Sequence, residues 1–317
     1  MIRSHKWMLA AAVALVAVAG ALTYSRTHHP NEADEMDPQT AFTVNGSKVV
    51  QEEFGIFLQN QKALTTSYFQ TNYHAEYSNE FWTTSFNGEI PIVYAKQKAV
   101  DELKRLKVEQ QLMKENGEMS AASFDEFMQD LEQENALRRN KIANKETVYG
   151  LTQFSPYQYY NYVQSTHYTN LINSLASSKK YRFSDTVYKD YYEKQKENYY
   201  NKGYIYEGDI VQNGISAEKI RLDLQAISKE DDLKRGLYAT ASKMQLDELS
   251  DPFPYQNGQA RFKLTAKQAL GYKSFEDVRS DVIKLYIHED LQRQIADRLS
   301  NAVININGPV YDAVQMK

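Results

Sequence analysis

Apolar residues recur along this chain at two different spacings, and the change from one to the other divides it. Ala41-Phe42-Thr43-Val44 is a short extended run that ends in Asn45-Gly46, a turn dipeptide. Residues 49–64 carry Phe54, Phe57, Leu58 and Leu64 at helical intervals and predict a helix. Residues 68–91 are rich in aromatic residues, Asn, Ser and Thr and have no clean period, so they read as a loop or insertion between helices. Pro91 suits the first turn of the next helix. Ile92, Ala95, Ala99, Leu103, Leu106, Gln110 and Met113 follow at steps of three and four, one face of a long amphipathic helix that Asn116-Gly117 stops. Ser123 with Glu126 forms a capping-box pattern ahead of Phe124, Phe127, Met128 and Leu131. Ser155-Pro156 opens a helix carrying Tyr157, Tyr160, Val163, Leu171, Ile172 and Leu175. Ser184 opens another with Tyr188, Tyr192 and Tyr199 on one stripe.

From Lys202 the texture changes. Tyr204-Ile205-Tyr206 and Asp209-Ile210-Val211 predict a strand, and Asn213-Gly214 a turn. Residues 216–227 read as a helix, residues 228–231 as the cap of a short one, and residues 249–258, with Pro252 and Pro254, as loop. Ser274 caps a last helix through Val278, Val282, Leu285, Leu291, Ile295 and Leu299, and Val303 to Asn307 forms a closing strand before Gly308. Neither helical block closes a core alone. The simplest packing sets the last helix against the N-terminal helices and pairs the closing strand with Phe42–Val44. The expected fold is therefore mainly α, with N-terminal helices completed by a C-terminal helix and strand, and a small α+β insert. The expected parts are residues 41–201, the insert at 202–272, and residues 273–317.

The N-terminus adds a location. Arg3, His5 and Lys6 precede residues 7–24, which run from Trp7 to Tyr24 and are apolar apart from Gly20 and Thr23. Basic region, apolar core and small residues are the order of a secretory signal, and A-x-A sites lie at Ala17-Val18-Ala19 and Ala19-Gly20-Ala21. The same run is at the lower limit for a membrane-spanning helix. Residues 1–26 thus read as a signal peptide or a membrane anchor, and residues 27–40 as a polar tether. The working part is expected outside the cytoplasm, either anchored or released.

Composition narrows the chemistry. The net charge is −4, which gives no basic field for nucleic acid. There is no Cys, which removes disulfides, thiol catalysis, zinc–thiolate sites and lipid attachment through an N-terminal Cys. The His residues His5, His28, His29, His74, His167 and His288 form no zincin spacing, and no phosphate-binding Gly loop or G-x-S-x-G is present. No cofactor and no metal are expected. Tyr is abundant, with 24 residues against 13 Phe. Its apolar face and polar tip suit either helix packing or a peptide-binding surface.

Several segments, in order, resemble the SurA and PrsA type of extracytoplasmic foldase. They are Val44-Asn45-Gly46 followed by Glu52-Glu53-Phe54, then residues 99–117 (AVDELKRLKVEQQLMKENG), residues 183–192 (FSDTVYKDYY), Phe275-Glu276-Asp277-Val278-Arg279, and the closing Ile304-Asn305-Ile306-Asn307. The resemblance covers some 200 residues. It implies a discontinuous helical chaperone domain that binds unfolded or partly folded exported proteins, with a parvulin prolyl isomerase domain inserted between its halves. The departure lies in that insert. Residues 202–272 contain no His and no Gly-Gly pair, so the family's His pair has no counterpart and those roles are not carried over. The expected domain is reduced or replaced, and no catalytic residue is assigned. Three functions follow: a chaperone holding client segments between helices, a divergent prolyl isomerase, or a structural envelope protein with a dedicated partner. For the first, Tyr157, Tyr159, Tyr160, Tyr188 and Tyr192 are the candidate client-binding residues.

Overall fold

A computed structural model of the chain describes residues 37–120 and 123–316. The apolar segment from Trp7 to Tyr24, and with it the choice between signal and anchor, lies outside the described residues, as does most of the tether. Among the described residues, no helix is long and apolar enough to cross a membrane.

The first strands, β1 (Thr40–Val44) and β2 (Ser47–Val50), form a hairpin. Its two-residue loop is Asn45-Gly46, with φ of +47° and +80°. Positive φ at both central positions is what a right-twisted hairpin requires, and Asn-Gly meets it at least cost. The expected helix over residues 49–64 is divided at Gln61 into α1 (Gln51–Asn60) and α2 (Lys62–Tyr73), so helix extends into the stretch read as loop. Next come α3 (Pro91–Glu115), α4 (Phe124–Ala143), α5 (Pro156–Ser177) and α6 (Asp185–Tyr199). Both Ser123 and Ser155 close reciprocal capping boxes, with Glu126 and Gln158. After a mixed segment, α8 (Phe275–Ser300) runs back along α3 and α5. The strand β7 (Ile304–Ile306) then pairs antiparallel with β1, Phe42 opposite Ile306 and Val44 opposite Ile304, in a sheet of order β2-β1-β7. A last short helix, α9 (Gly308–Ala313), lies over β1.

One apolar core joins these pieces. Phe42, Phe54, Leu58, Leu103, Leu171, Ile287 and Leu291 pack in a single cluster drawn from both ends of the chain. A smaller cluster of Tyr188, Tyr192, Tyr200, Phe275, Val278 and Val282 fixes α6 on the first half of α8. Two polar fittings lie inside. Glu53 is 1% exposed and accepts from Lys107 at 2.8 Å and from the Tyr160 hydroxyl at 2.8 Å. Lys96 is 7% exposed and donates to the carbonyl oxygens of Tyr311 and Asp312. Burial lowers its pKa.

The mixed segment differs from expectation. β3 (Tyr204–Gln212) turns through Asn213-Gly214, φ +51° and +80°, into β4 (Ile215–Asp223). Residues 216–227, expected as helix, are thus mostly strand. The hairpin places β4 against β3, where Ile220 and Leu222 point inward and Lys219 and Arg221 outward, a period of two. The expected short helix is α7 (Asp232–Ala241), capped by Asp231. The expected loop contains β5 (Phe253–Tyr255) and leads directly into the long strand β6 (Gly258–Ala269). The sheet is antiparallel, order β4-β3-β6-β5, and α7 covers the face bearing Ile210, Leu222, Phe262 and Leu264. Its two ends lie side by side: Lys202 N–H donates to Gly271 at 2.9 Å, and Leu270 N–H to Gly203 at 3.0 Å.

Gly208 is needed where β3 bulges against β6. A Cβ there would stand 2.3 Å from the Lys263 carbonyl oxygen and 2.4 Å from the Phe262 ring. Gly208→Ala should therefore destabilise this sheet by about 2–3 kcal/mol. Urea titration of the full chain measures it. A loss below about 0.5 kcal/mol would mean that the strands separate easily at this point.

Candidate functional site

The sequence-predicted tyrosines fall in two places. Tyr157, Tyr159 and Tyr160 begin α5, where they meet α1, α3 and α4. The Tyr160 ring stacks on Phe127 at 3.8 Å and its hydroxyl donates to Glu53, which with burial raises its pKa. Tyr159 lies between Phe127 and Phe154, at 5.3 and 5.8 Å. Tyr157 is half-buried, edge-on to Phe57 at 5.4 Å, and donates to Glu102 at 2.5 Å. Tyr188 and Tyr192 belong to the α6–α8 contact. Tyr188 donates to the Tyr181 carbonyl, and Tyr192 to the Lys273 carbonyl at 2.6 Å. The structure does not bring the five together. Tyr159, Tyr160, Tyr188 and Tyr192 are buried, at 8, 6, 1 and 7% exposure. Their rings supply internal packing, and their hydroxyls, where bonded, point at internal acceptors.

What faces outward is different. Where α5 and α8 diverge, a cleft of about 420 Å³ opens between Asn173, Ala176 and Ser177 on one side and Arg279, Ile283 and Lys284 on the other. Ala176 and Ile283 form its floor, continuous with the main core. Arg279 is held by Asp185 of α6 at 2.6 and 3.0 Å, so it is fixed in place with its charge largely offset. Lys284 carries no ion pair among the described residues, which leaves the rim net basic. A groove of this size with a small apolar floor and polar walls admits one or two aliphatic side chains of an extended segment.

A second outward feature lies at the end of α4. The Arg138 guanidinium lies 4.5 Å from the Phe154 ring centroid and 5.8 Å from that of Tyr162. It is held by Glu134 at 2.7 Å and by the carbonyl oxygens of Tyr149 and Leu151 at 3.1 and 2.6 Å. That fixes the loop after α4, leaving Tyr149, Leu151 and Tyr162 exposed at 86, 44 and 42%. Large apolar side chains held out by a rigid support suit contact with another chain. No period marks them in the sequence.

On the open face of the β4-β3-β6-β5 sheet, Glu207 pairs with Arg221 at 2.9 Å and Asp209 accepts from Ser216 at 2.8 Å. This surface is charged and solvated, while the apolar side chains of the strands lie under α7. Among the described residues, no group of three His, Asp or Glu is placed to hold a metal.

No protein-family model matches the sequence, and no curated protein does. Solved structures do show likenesses. A SurA-like chaperone structure from Campylobacter jejuni matches at 16% identity and a TM-score of 0.33, over 84% of this chain and 98% of that one. The peptidylprolyl isomerase PrsA of Bacillus anthracis matches at 12% identity and a TM-score of 0.22, over 64% and 96%. The foldase PrsA of Streptococcus pneumoniae matches at 12% identity and 0.21, over 73% and 97%. With identities and TM-scores this low, the likenesses carry no function over to the chain.

Proposed function

We propose that this protein is an extracytoplasmic chaperone that holds unfolded or partly folded exported polypeptides. Its working body is discontinuous: residues 41–201 and 273–317 form one helical unit, and residues 202–272 form an insert on one side. The polar tether and the apolar N-terminal segment in the sequence support a location for that body outside the cytoplasm, on an anchor or free. The observation that carries the reading is the α5–α8 cleft, with its Ala176 and Ile283 floor and the basic rim of Arg279 and Lys284. Burying one aliphatic side chain there is worth about 2 kcal/mol. One or two such contacts supply about 2–4 kcal/mol before the ordering of the client is subtracted, which is millimolar binding or weaker. That is weak enough to release a client that folds, which a holding function requires.

The test pairs suppression of aggregation with the rate of a proline-limited refolding reaction. Wild-type protein should suppress aggregation without accelerating refolding. Ser177 is exposed at the cleft edge, so Ser177→Trp fills the cleft without disturbing the core. It should weaken suppression about thirtyfold, as expected for the loss of one such buried contact, with an unchanged melting temperature. Full suppression by that variant would remove the cleft from the mechanism. Acceleration of refolding that vanishes when residues 202–272 are removed would assign the protein as a prolyl isomerase instead. Neither activity, with one stoichiometric partner recovered from an envelope extract, would make it a structural protein.

A further inference from the structure

The aromatic stretch between α2 and α3 has no part in the cleft. α2 ends at His74, φ +51°, and the chain folds onto a small core of its own, with Phe69, Ala75 and Phe81 buried. A third Asn-Gly turn, Asn87-Gly88 with φ of +54° and +92°, closes Phe86 onto Glu89 through reciprocal backbone hydrogen bonds of 2.8 and 3.0 Å. The turn fixes the position of Glu89. Its Oε2 accepts from the hydroxyls of Tyr68 and Tyr73, at 3.2 and 3.0 Å. Both hydroxyls are consumed in orienting the carboxylate; its charge is not neutralised. Among the described residues, Glu89 has no Lys, Arg or His in ion-pair reach. Burial and the adjacent negative charge push the Tyr68 hydroxyl up to about 12.

An unneutralised, half-buried carboxylate held in place by two tyrosine hydroxyls is the chemistry that recognises an ammonium or guanidinium ion. The carboxylate supplies a charge-assisted hydrogen bond, and the two hydroxyls that hold Oε2 leave Oε1 to the incoming cation. The cluster already holds one cation against a ring face. Tyr94 stacks on Tyr68 at 4.4 Å and has Lys98 Nζ 5.2 Å from its own centroid. Lys98 thereby serves the outer ring and leaves Glu89 without a counter-ion.

We propose that Glu89, oriented by the hydroxyls of Tyr68 and Tyr73, is a recognition site for a Lys or Arg side chain of a bound polypeptide. The cationic ligand follows from the site itself; its origin in a polypeptide rests on the chaperone reading. Exported segments with basic flanks would be held at two points, an apolar side chain in the cleft and a cation here.

The experiment uses the purified full chain and two fluorescent hexapeptides of equal length, one with three Lys and one with norleucine in their place. Binding is read by polarisation. The lysine peptide should bind at least about tenfold more tightly than the norleucine peptide, the discrimination expected of one charge-assisted contact. Glu89→Gln should abolish that difference without altering the melting temperature. Tyr73→Phe, which keeps the ring and removes one orienting bond, should fall between. Equal binding of the two peptides, or full discrimination by Glu89→Gln, overturns the proposal. Phosphatidylcholine vesicles are a third arm. If they bind more tightly than the lysine peptide in a Glu89-dependent way, the cation is a lipid headgroup and the polypeptide assignment is wrong. Suppression of aggregation of a neutral client is measured alongside. Its absence with lysine discrimination intact would remove the chaperone reading and leave the cation site.

Discussion

Glu53→Ala should lower the stability of the helical body by about 3–5 kcal/mol, the penalty for leaving one member of a buried ion pair without its partner. Glu53 enters from α1 and meets Lys107 of α3 at 2.8 and 3.1 Å and Tyr160 of α5 at 2.8 Å, so three helices meet on one carboxylate. Its side chain is 2% exposed and that of Lys107 14%, so water cannot replace what the mutation removes. The alanine leaves a buried ammonium and a buried hydroxyl unpaired and opens space beside them. Replacing both charges with apolar side chains, Glu53→Leu with Lys107→Leu, should cost less than Glu53→Ala alone. In that double variant no charge remains to be desolvated, although the Tyr160 hydroxyl still lacks its acceptor. A double-mutant cycle by urea denaturation isolates the coupling, expected at about 2 kcal/mol or more. A single-mutant loss below about 1 kcal/mol would mean that the pair is reached by solvent and is not a structural centre.

That carboxylate also shows where the sequence stops being readable. The helix face of Ile92 to Met113, the capping box at Ser123, the Ser155-Pro156 helix start and the Asn45-Gly46 and Asn213-Gly214 turns are local patterns, and each has its counterpart in the structure. β4 and β6 were missed because their choice is not local. KIRLDLQAI fits a helical period as well as an alternating one, and pairing with β3 decides between them. The tyrosines were legible as a type but not as a place. Tyr157 finds Glu102 at a separation of 55 residues, Tyr160 finds Glu53 at 107, and Tyr181 finds Asp290 at 109. A ring that looks amphipathic in sequence is buried once such a distant acceptor takes its hydroxyl. The α5–α8 cleft had no sequence signal, since it exists only where two helices from opposite halves of the chain diverge. Glu89 was closer to view. Its tyrosines lie 21 and 16 residues before it, within the aromatic stretch that reads as loop for want of a period.

Ending the chain after Asn301 should unfold the helical body, whereas excising the insert should leave it standing. The truncation removes β7 and α9 and opens the edge of β1 beside Phe42. It also removes the mutual bonds of Asn45 and Val303, both 2.9 Å. Tyr311 no longer stacks on Phe54 at 5.0 Å, Val314 leaves the core, and Lys96 loses both carbonyl acceptors. Re-exposing Val310, Tyr311, Val314 and their contacts costs about 5–8 kcal/mol, comparable with the whole stability of a domain. The insert is attached differently. Its core of Tyr206, Ile210, Leu222, Phe262 and Leu264 is internal to it. Its ends are already neighbours, bridged at Asn201 and Tyr272 and by the Lys202 to Gly271 hydrogen bond. Replacing residues 203–270 by Asn-Gly should therefore close a tight turn and cost the helical body no more than about 1–2 kcal/mol. Circular dichroism at the helical minimum, followed through urea titrations of both variants, separates the cases. If the excised protein unfolds like the truncated one, the sheet is an integral support of the helices. If the truncated protein melts like wild type, residues 302–317 are an appendage, and the body is completed by α8 alone.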